Sequence, residues 1–184
     1  QAEYMRNGLE FNRFWDNMNK ILEKCPRVNL TIMSTYNALS VPNYDKLIND
    51  VYKLKTKYGT PDRYWNSAVF LDSSYLRFPT HQTVQVLPDV WNQEILRQAQ
   101  LLDFLAVPEF ASDKIGYSDI EIQKVKRIYD WKTADWEGKE QQVKEQRYNF
   151  GKYFKEHDKR RGTDFCDIFP ELEEFYKQCL EIRL

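Results

Sequence analysis

Two short polar clusters hold the best candidates for chemistry in this chain. Ser34, Thr35, Tyr36 and Asn37 stand directly after one run of β-branched residues, and Asp72, Ser73, Ser74 and Arg77 stand in and after a second. In folds built from β/α units, ligands bind beyond the carboxyl ends of the parallel strands. Hydroxyls, an amide, a carboxylate and a guanidinium are the groups that would grip a polar ligand at such a rim. Ser, Asn and Asp also favour turns, because their side chains bond to nearby backbone, so both clusters read equally well as turn chemistry. Arg77 lies between Leu76 and Phe78-Pro79; if it is buried it needs an anion or carbonyl groups as partners. His81 is a lone candidate base in a loop of Pro, Thr and Gln, and a core-edge histidine is its plainer reading. The run His157–Gly162 is basic. It reads first as a solvated loop with Gly162 stopping a helix, and second as a contact for a phosphate or an acidic partner. Asp158 paired with Arg160 or Arg161 would equally anchor the last helix.

Other chemistries find little support. The cysteines are Cys25, Cys166 and Cys179, and the histidines are His81 and His157. An odd, widely spaced set of thiols is not a disulfide framework; reduced thiols in a cytoplasmic protein fit best, with Cys166 and Cys179 as buried core positions. No CxxC pair is present, so a zinc or iron–sulfur site made by this chain alone is not expected. Nucleophile elbow, P-loop and dinucleotide glycine fingerprints are missing. With 27 basic and 28 acidic residues the net charge is −1, which gives no general attraction to nucleic acid or to an anionic membrane. No apolar run approaches the ~20 residues of a membrane span. Aromatic residues make up 15%, which argues for a packed core and against disorder.

The elements that must position these residues follow from periodicity. Phe11, Phe14, Trp15, Met18, Ile21, Leu22 and Cys25 recur at helical spacing, and Pro26 ends that helix. Val28–Thr35 reads as a strand covered on both faces. Pro42-Asn43 opens a second helix with the apolar face Tyr44, Leu47, Ile48, Val51, Leu54 and Tyr58, closed by Gly59-Thr60-Pro61. Tyr64–Asp72 is a second strand and Thr83–Pro88 a third, shorter one. Helices then follow over Pro88–Leu105, Ser118–Trp131 with Ser118 and Glu121 as a capping box, Lys139–His157, and a last amphipathic helix with Pro170 in its first turn. The fold class is α/β: a partial, half-barrel-like parallel sheet with right-handed crossover helices over residues 1–88, and an all-helical part over 89–184 packed on it as one compact unit. A two- or three-strand parallel sheet is undersized. The opening helix also has no strand before it, as a crossover helix should.

The order of features resembles a known family. "AEYMRNGLEFNRFWDNMNKIL", "VNLTIMSTYNALSV", "LRFPTHQTVQVLP" and the closing "HDKRRGTDFCDIFPELEEFYKQC" are similar, in that order, to the second half of radical S-adenosylmethionine enzymes of the twitch-domain-containing type found in phage and marine microbial sequences. The resemblance spans nearly the whole chain and rests on soft motifs. It implies a barrel of about six strands, a 4Fe–4S cluster on three cysteines, and reductive cleavage of S-adenosylmethionine to a radical. It places the start of this chain just after strand four and gives it strands five and six. By the same resemblance, Arg6 would contact the carboxylate of the cofactor, and Ser34, Thr35 and Asn37 would lie near its ribose and adenine. Asp72, Arg77 and Gln85 would face the substrate. The CxxxCxxC motif and the glycine-rich second-strand segment are absent from this sequence. The chain is therefore expected to bind no cofactor and to be inactive by itself, S-adenosylmethionine and the cluster belonging to the full-length parent. A half barrel would leave a sheet edge exposed, so self-association through that edge is expected. The competing readings are a self-contained α/β binding or interaction module, and an unrelated metal-free enzyme using Asp72, Arg77 and His81.

Overall fold

The computed structural model describes residues 1–60, 67–107 and 115–184. It is mixed α/β and mostly helical, with one sheet of two parallel strands. In chain order the elements are α1 (Ala2–Met5), α2 (Phe11–Lys24), β1 (Leu30–Tyr36), α3 (Tyr44–Tyr58), β2 (Val69–Tyr75), α4 (Asn92–Phe104), α5 (Asp119–Thr133), α6 (Lys139–Arg161), α7 (Phe165–Ile168) and α8 (Glu173–Glu181). Two compact units interleave along the sequence. The first contains Gln1–Ser34, Asn43–Ser74 and Leu96–Arg127; the second contains Thr35–Pro42, Tyr75–Ile95 and Ile128–Leu184.

The register of the sheet is fixed at both ends. Leu30 N–H donates to the Ala68 carbonyl and Leu76 N–H to the Tyr36 carbonyl. In a parallel ladder this sets Leu30 opposite Val69 and Tyr36 opposite Tyr75. The pleat then sorts the side chains. Ile32, Ser34 and Tyr36 share one face with Val69, Leu71 and Ser73, and all but Ser34 are buried. Tyr44, the first residue of α3, bonds to Ser73 on this face, so the crossover helix covers it. The opposite face carries Thr31, Met33 and Thr35 beside Phe70, Asp72 and Ser74. Met33 is 77% exposed there. The expectation of a strand covered on both faces is thus corrected. The β-branched run hides a two-residue alternation, and one of its faces stays open. Among the described residues no half barrel is formed, because the sheet ends at two strands.

The expected third strand is also corrected. Thr83–Pro88 forms a 3-10 turn at Val84–Val86, with Val86 N–H donating to Thr83 and Leu87 N–H to Val84. Val84, Val86 and Leu87 are all buried. Apolar demand is met there by local turns, and Pro88 at the end of the segment has no ladder donor. The second strand begins at Val69 and runs on through Ser73-Ser74-Tyr75; the Tyr64–Asn66 part of that expectation lies outside the described residues.

The second unit is organised around aromatic rings. Phe150 meets Phe154, Phe165 and Phe175 at centroid separations of 4.6, 5.7 and 5.1 Å. Tyr176 lies against Phe165 at 4.4 Å. Gly151 lets α6 approach α8 closely, since a Cβ there would sit 3.0 Å from the Cys179 carbonyl. The basic run His157–Arg161 is the last stretch of α6 and not a loop, and Gly162 ends the helix at φ +64.

Candidate functional site

In the first unit, the polar groups at the strand ends converge on one hydroxyl. Tyr44 Oη lies 2.7 Å from Ser73 Oγ and also bonds the Ser34 side chain. Burial pushes the Tyr44 phenol up to about 12. It therefore stays protonated and able to donate. Asp72, on the open face, takes hydrogen bonds from Lys124 Nζ and, at 3.1 Å, from Ser74 Oγ. The Lys124 bond holds the Asp72 carboxyl below its usual range. Lys124 Nζ also lies 5.6 Å over the Phe70 ring. Arg6 is exposed just past α1.

Behind these groups lies a charged pair that sequence reasoning missed. Lys55 is 0% exposed and Glu121 2%. Lys55 Nζ is 2.9 and 3.1 Å from the two Glu121 oxygens and 3.0 Å from Ser67 Oγ. Glu121 also accepts the backbone N–H of Leu71 at 2.7 Å, and the N–H and Oγ–H of Ser118 at 2.9 Å each. Tyr117 donates to the Ile48 carbonyl at 2.6 Å, and its ring lies 4.8 Å from Lys55 Nζ. Burial lowers the Lys55 ammonium more than the carboxylate raises it. Each charge thus has a partner and each donor an acceptor, which is the condition under which a buried pair persists. A signal was available: Ile48, Val51 and Lys55 fall at helical spacing, so Lys55 sits on the apolar stripe of α3. Of the expected capping box, Glu121 forms one half by accepting the Ser118 N–H, while Ser118 Oγ donates to the same carboxylate.

Beside this network runs a cleft of about 450 Å³. Leu30, Phe70, Val107 and Ile120 form apolar walls, and Ser67, Ser118 and Glu121 supply polar groups. Concave, mostly apolar sites with a few convergent polar groups are where small molecules bind.

No family model, curated protein or solved structure matches the chain.

The remaining candidates lie in the second unit. Asn37 closes an Asx turn: its Nδ2 donates to the Thr35 carbonyl at 3.2 Å and its Oδ1 accepts Leu39 N–H at 2.9 Å. Arg77 is exposed; its guanidinium lies over the Tyr75 ring and donates to Tyr75 Oη at 2.9 Å. Gln85 Nε2 donates to the Trp131 carbonyl at 3.0 Å, and Trp131 packs on Tyr75 at 4.6 Å. Arg6, Ser34 and Asp72 belong to the first unit and Thr35, Asn37, Arg77 and Gln85 to the second. His81 stacks on Tyr153 at 5.0 Å, with Nε2 buried and unbonded among the described residues, and burial lowers its affinity for a proton. Asp158 does anchor the chain toward the last helices, through Thr163 Oγ1 at 2.7 Å and Phe165 N–H at 2.8 Å.

Cys25 is exposed, Cys166 half-buried and Cys179 buried. Burial raises Cys166 and pushes Cys179 up to about 12. Among the described residues no group of three or more His, Cys, Asp or Glu side chains is placed to hold a metal ion. No described helix is long and apolar enough to cross a membrane.

Proposed function

We propose that this chain is the closing part of a radical S-adenosylmethionine enzyme, its β1 and β2 corresponding to the last two strands of an open barrel. One observation carries the reading: the parallel sheet is covered by α3 on one face and only partly covered on the other, where Met33 is 77% exposed while Lys124 of α5 reaches over Phe70 and Asp72. Parallel sheets are normally covered on both faces. In a barrel, crossover helices line the outside and the inward face looks onto the lumen, where Thr31, Thr35, Asp72 and Ser74 would stand. On the far edge of β2, Glu121 takes the Leu71 amide, as suits a final strand with no successor. S-adenosylmethionine and the iron–sulfur cluster belong to the parent; this chain supplies wall and helices and is inactive alone, in the cytoplasm. Sequencing the coding DNA upstream of Gln1 tests the reading. A CxxxCxxC segment is expected within roughly one to two hundred codons, a span set by barrel size. An in-frame stop close to Gln1 would overturn it. Reconstitution of the 184-residue chain with iron and sulfide should give no stable 4Fe absorbance, and a stable brown species would refute the claim that the chain lacks its own cluster site.

The cleft beside Glu121 favours a second reading, a self-contained binding module for a small, largely apolar ligand. Saturable binding of such a ligand by this chain, abolished by Ile120→Lys, together with an upstream stop, would select it.

A further inference from the structure

The two edges of the sheet are not equivalent. On β2, Leu71 N–H points away from β1 and is held by Glu121 at 2.7 Å. A carboxylate from α5 takes the place of a neighbouring strand. On β1 the parallel register turns the amides and carbonyls of Thr31, Met33 and Thr35 outward, and no strand pairs with them among the described residues. Natural edges are blunted by charge, proline, bulges or brevity. The seven residues of β1, LTIMSTY, include no charged residue, no proline and no glycine.

From this asymmetry we infer that β1 is a pairing edge whose occupant is β1 of a second copy, joined antiparallel about a two-fold axis at Met33. A two-fold contact needs a surface that is its own complement. Antiparallel pairing about Met33 sets Met33 against Met33, Thr31 against Thr35 and Asn29 against Asn37, so no like charges meet along the strand. The Thr35 carbonyl already accepts Asn37 Nδ2 at 3.2 Å, so the remaining outward groups of Thr31, Met33 and Thr35 form about four backbone hydrogen bonds with the second strand. The two open faces join into one, with the exposed Met33 side chains adjacent at its centre. Threonine pairs and apolar pairs stabilise such a ladder. The same edge is the one that the enzyme reading gives to an upstream strand. The inference rests on the strand pair alone, so a monomer would leave the enzyme reading standing, and an upstream cysteine motif would leave this one standing.

The test uses the full chain. Sedimentation velocity across a concentration series should show a reversible monomer–dimer equilibrium. Met33→Lys places like charges directly opposite each other and should weaken the dimer several-fold, with an unchanged far-UV spectrum because the side chain is exposed. In a Cys25→Ser, Cys166→Ser background, Met33→Cys should cross-link to a dimer under oxidised glutathione, since residues paired across an antiparallel ladder fall within disulfide range. Val90→Cys, at another exposed position (76%), should not. A chain that stays monomeric at all concentrations overturns the inference. So does a dimer indifferent to Met33→Lys, or one that cross-links equally at residues 33 and 90.

Discussion

Removing the Glu121 carboxylate should be among the most damaging single changes in the first unit. Glu121→Ala leaves the Lys55 ammonium in a site with 0% exposure, with Ser67 Oγ at 3.0 Å and the Tyr117 ring at 4.8 Å but no counter-charge. It also removes the acceptor of the Leu71 and Ser118 amides. Breaking a buried pair by deleting one member costs about 3–5 kcal/mol, and each orphaned buried amide adds about 1–3 kcal/mol. These terms overlap, so a loss of at least ~4 kcal/mol is expected, a large share of the ~5–15 kcal/mol that holds a domain together. Thermal denaturation should move down by about 10 °C or more, at roughly 2–4 °C per kcal/mol for a chain of this size. Lys55→Met should cost less, because the carboxylate keeps three hydrogen-bond donors and only its counter-charge goes. The double variant Lys55→Met/Glu121→Ala should be milder than the sum of its singles by about 1–3 kcal/mol, because with neither partner present no unpaired buried charge is left behind. Urea unfolding of the four proteins measures this. A Glu121→Ala loss below about 1 kcal/mol, or strict additivity in the double variant, would refute the argument that the carboxylate serves as both counter-ion and edge acceptor.

Two further outcomes follow from the second unit. Gly151→Ala gains about 1 kcal/mol of helix propensity, but its Cβ meets the backbone of Cys179 at 3.0 Å. Overpacking of this kind costs about 1–3 kcal/mol, so a net loss near 1 kcal/mol is expected, and a gain in urea unfolding would show that α8 shifts freely. Burial lowers the His81 proton affinity from its ordinary 6.5, so in acid the unfolded chain binds the proton that the folded chain refuses. Its contribution to stability is therefore present above pH 6.5 and is lost as pH falls through that value toward the folded one. His81→Phe keeps a ring on Tyr153 and should flatten that acid-side loss, seen by comparing unfolding at pH 5 and pH 7.5; an unchanged slope would assign it to other groups.

Much of the architecture was legible because period and punctuation agree. Ile48, Val51 and Leu54 mark α3, Pro26 and Gly59 bound their helices, and the Ser118–Glu121 box sets the start of α5. The failures have physical causes. Val84 and Val86 alternate like a strand but are buried by 3-10 turns, a choice that tertiary contacts make and propensity does not. In β1, Met33 interrupts the alternation that would have announced an open face; in β2, Asp72 is the one strong sign that half of that strand is not core. The polar clusters read equally as a ligand rim and as turn chemistry, and Asn37 takes the second course in an Asx turn; Gln85, which the resemblance turns toward a substrate, bonds the Trp131 carbonyl. Lys55 was invisible as a site because a lone lysine on an apolar stripe shows its worth only when Glu121, 66 residues away, arrives beside it.

The open face of the sheet ties these strands together, and it can be completed in two ways that make opposite demands on one side chain. If upstream strands curl the sheet into a barrel, β1 pairs with its predecessor, and Met33 points into a lumen where a long side chain has room. Met33→Lys would then leave the assembled parent folded, its ammonium reaching toward solvent or the Asp72 side of the wall. If a second copy extends the sheet, Met33 lies against its own twin at the two-fold axis, and the same lysine opposes the same charge within a few ångströms. The repulsion falls on association alone. Residue 33 therefore separates the two completions: a variant that blocks self-pairing in this chain and is silent in the longer one marks the β1 edge as a place held for an upstream strand, whereas equal damage in both would give the edge to the second copy.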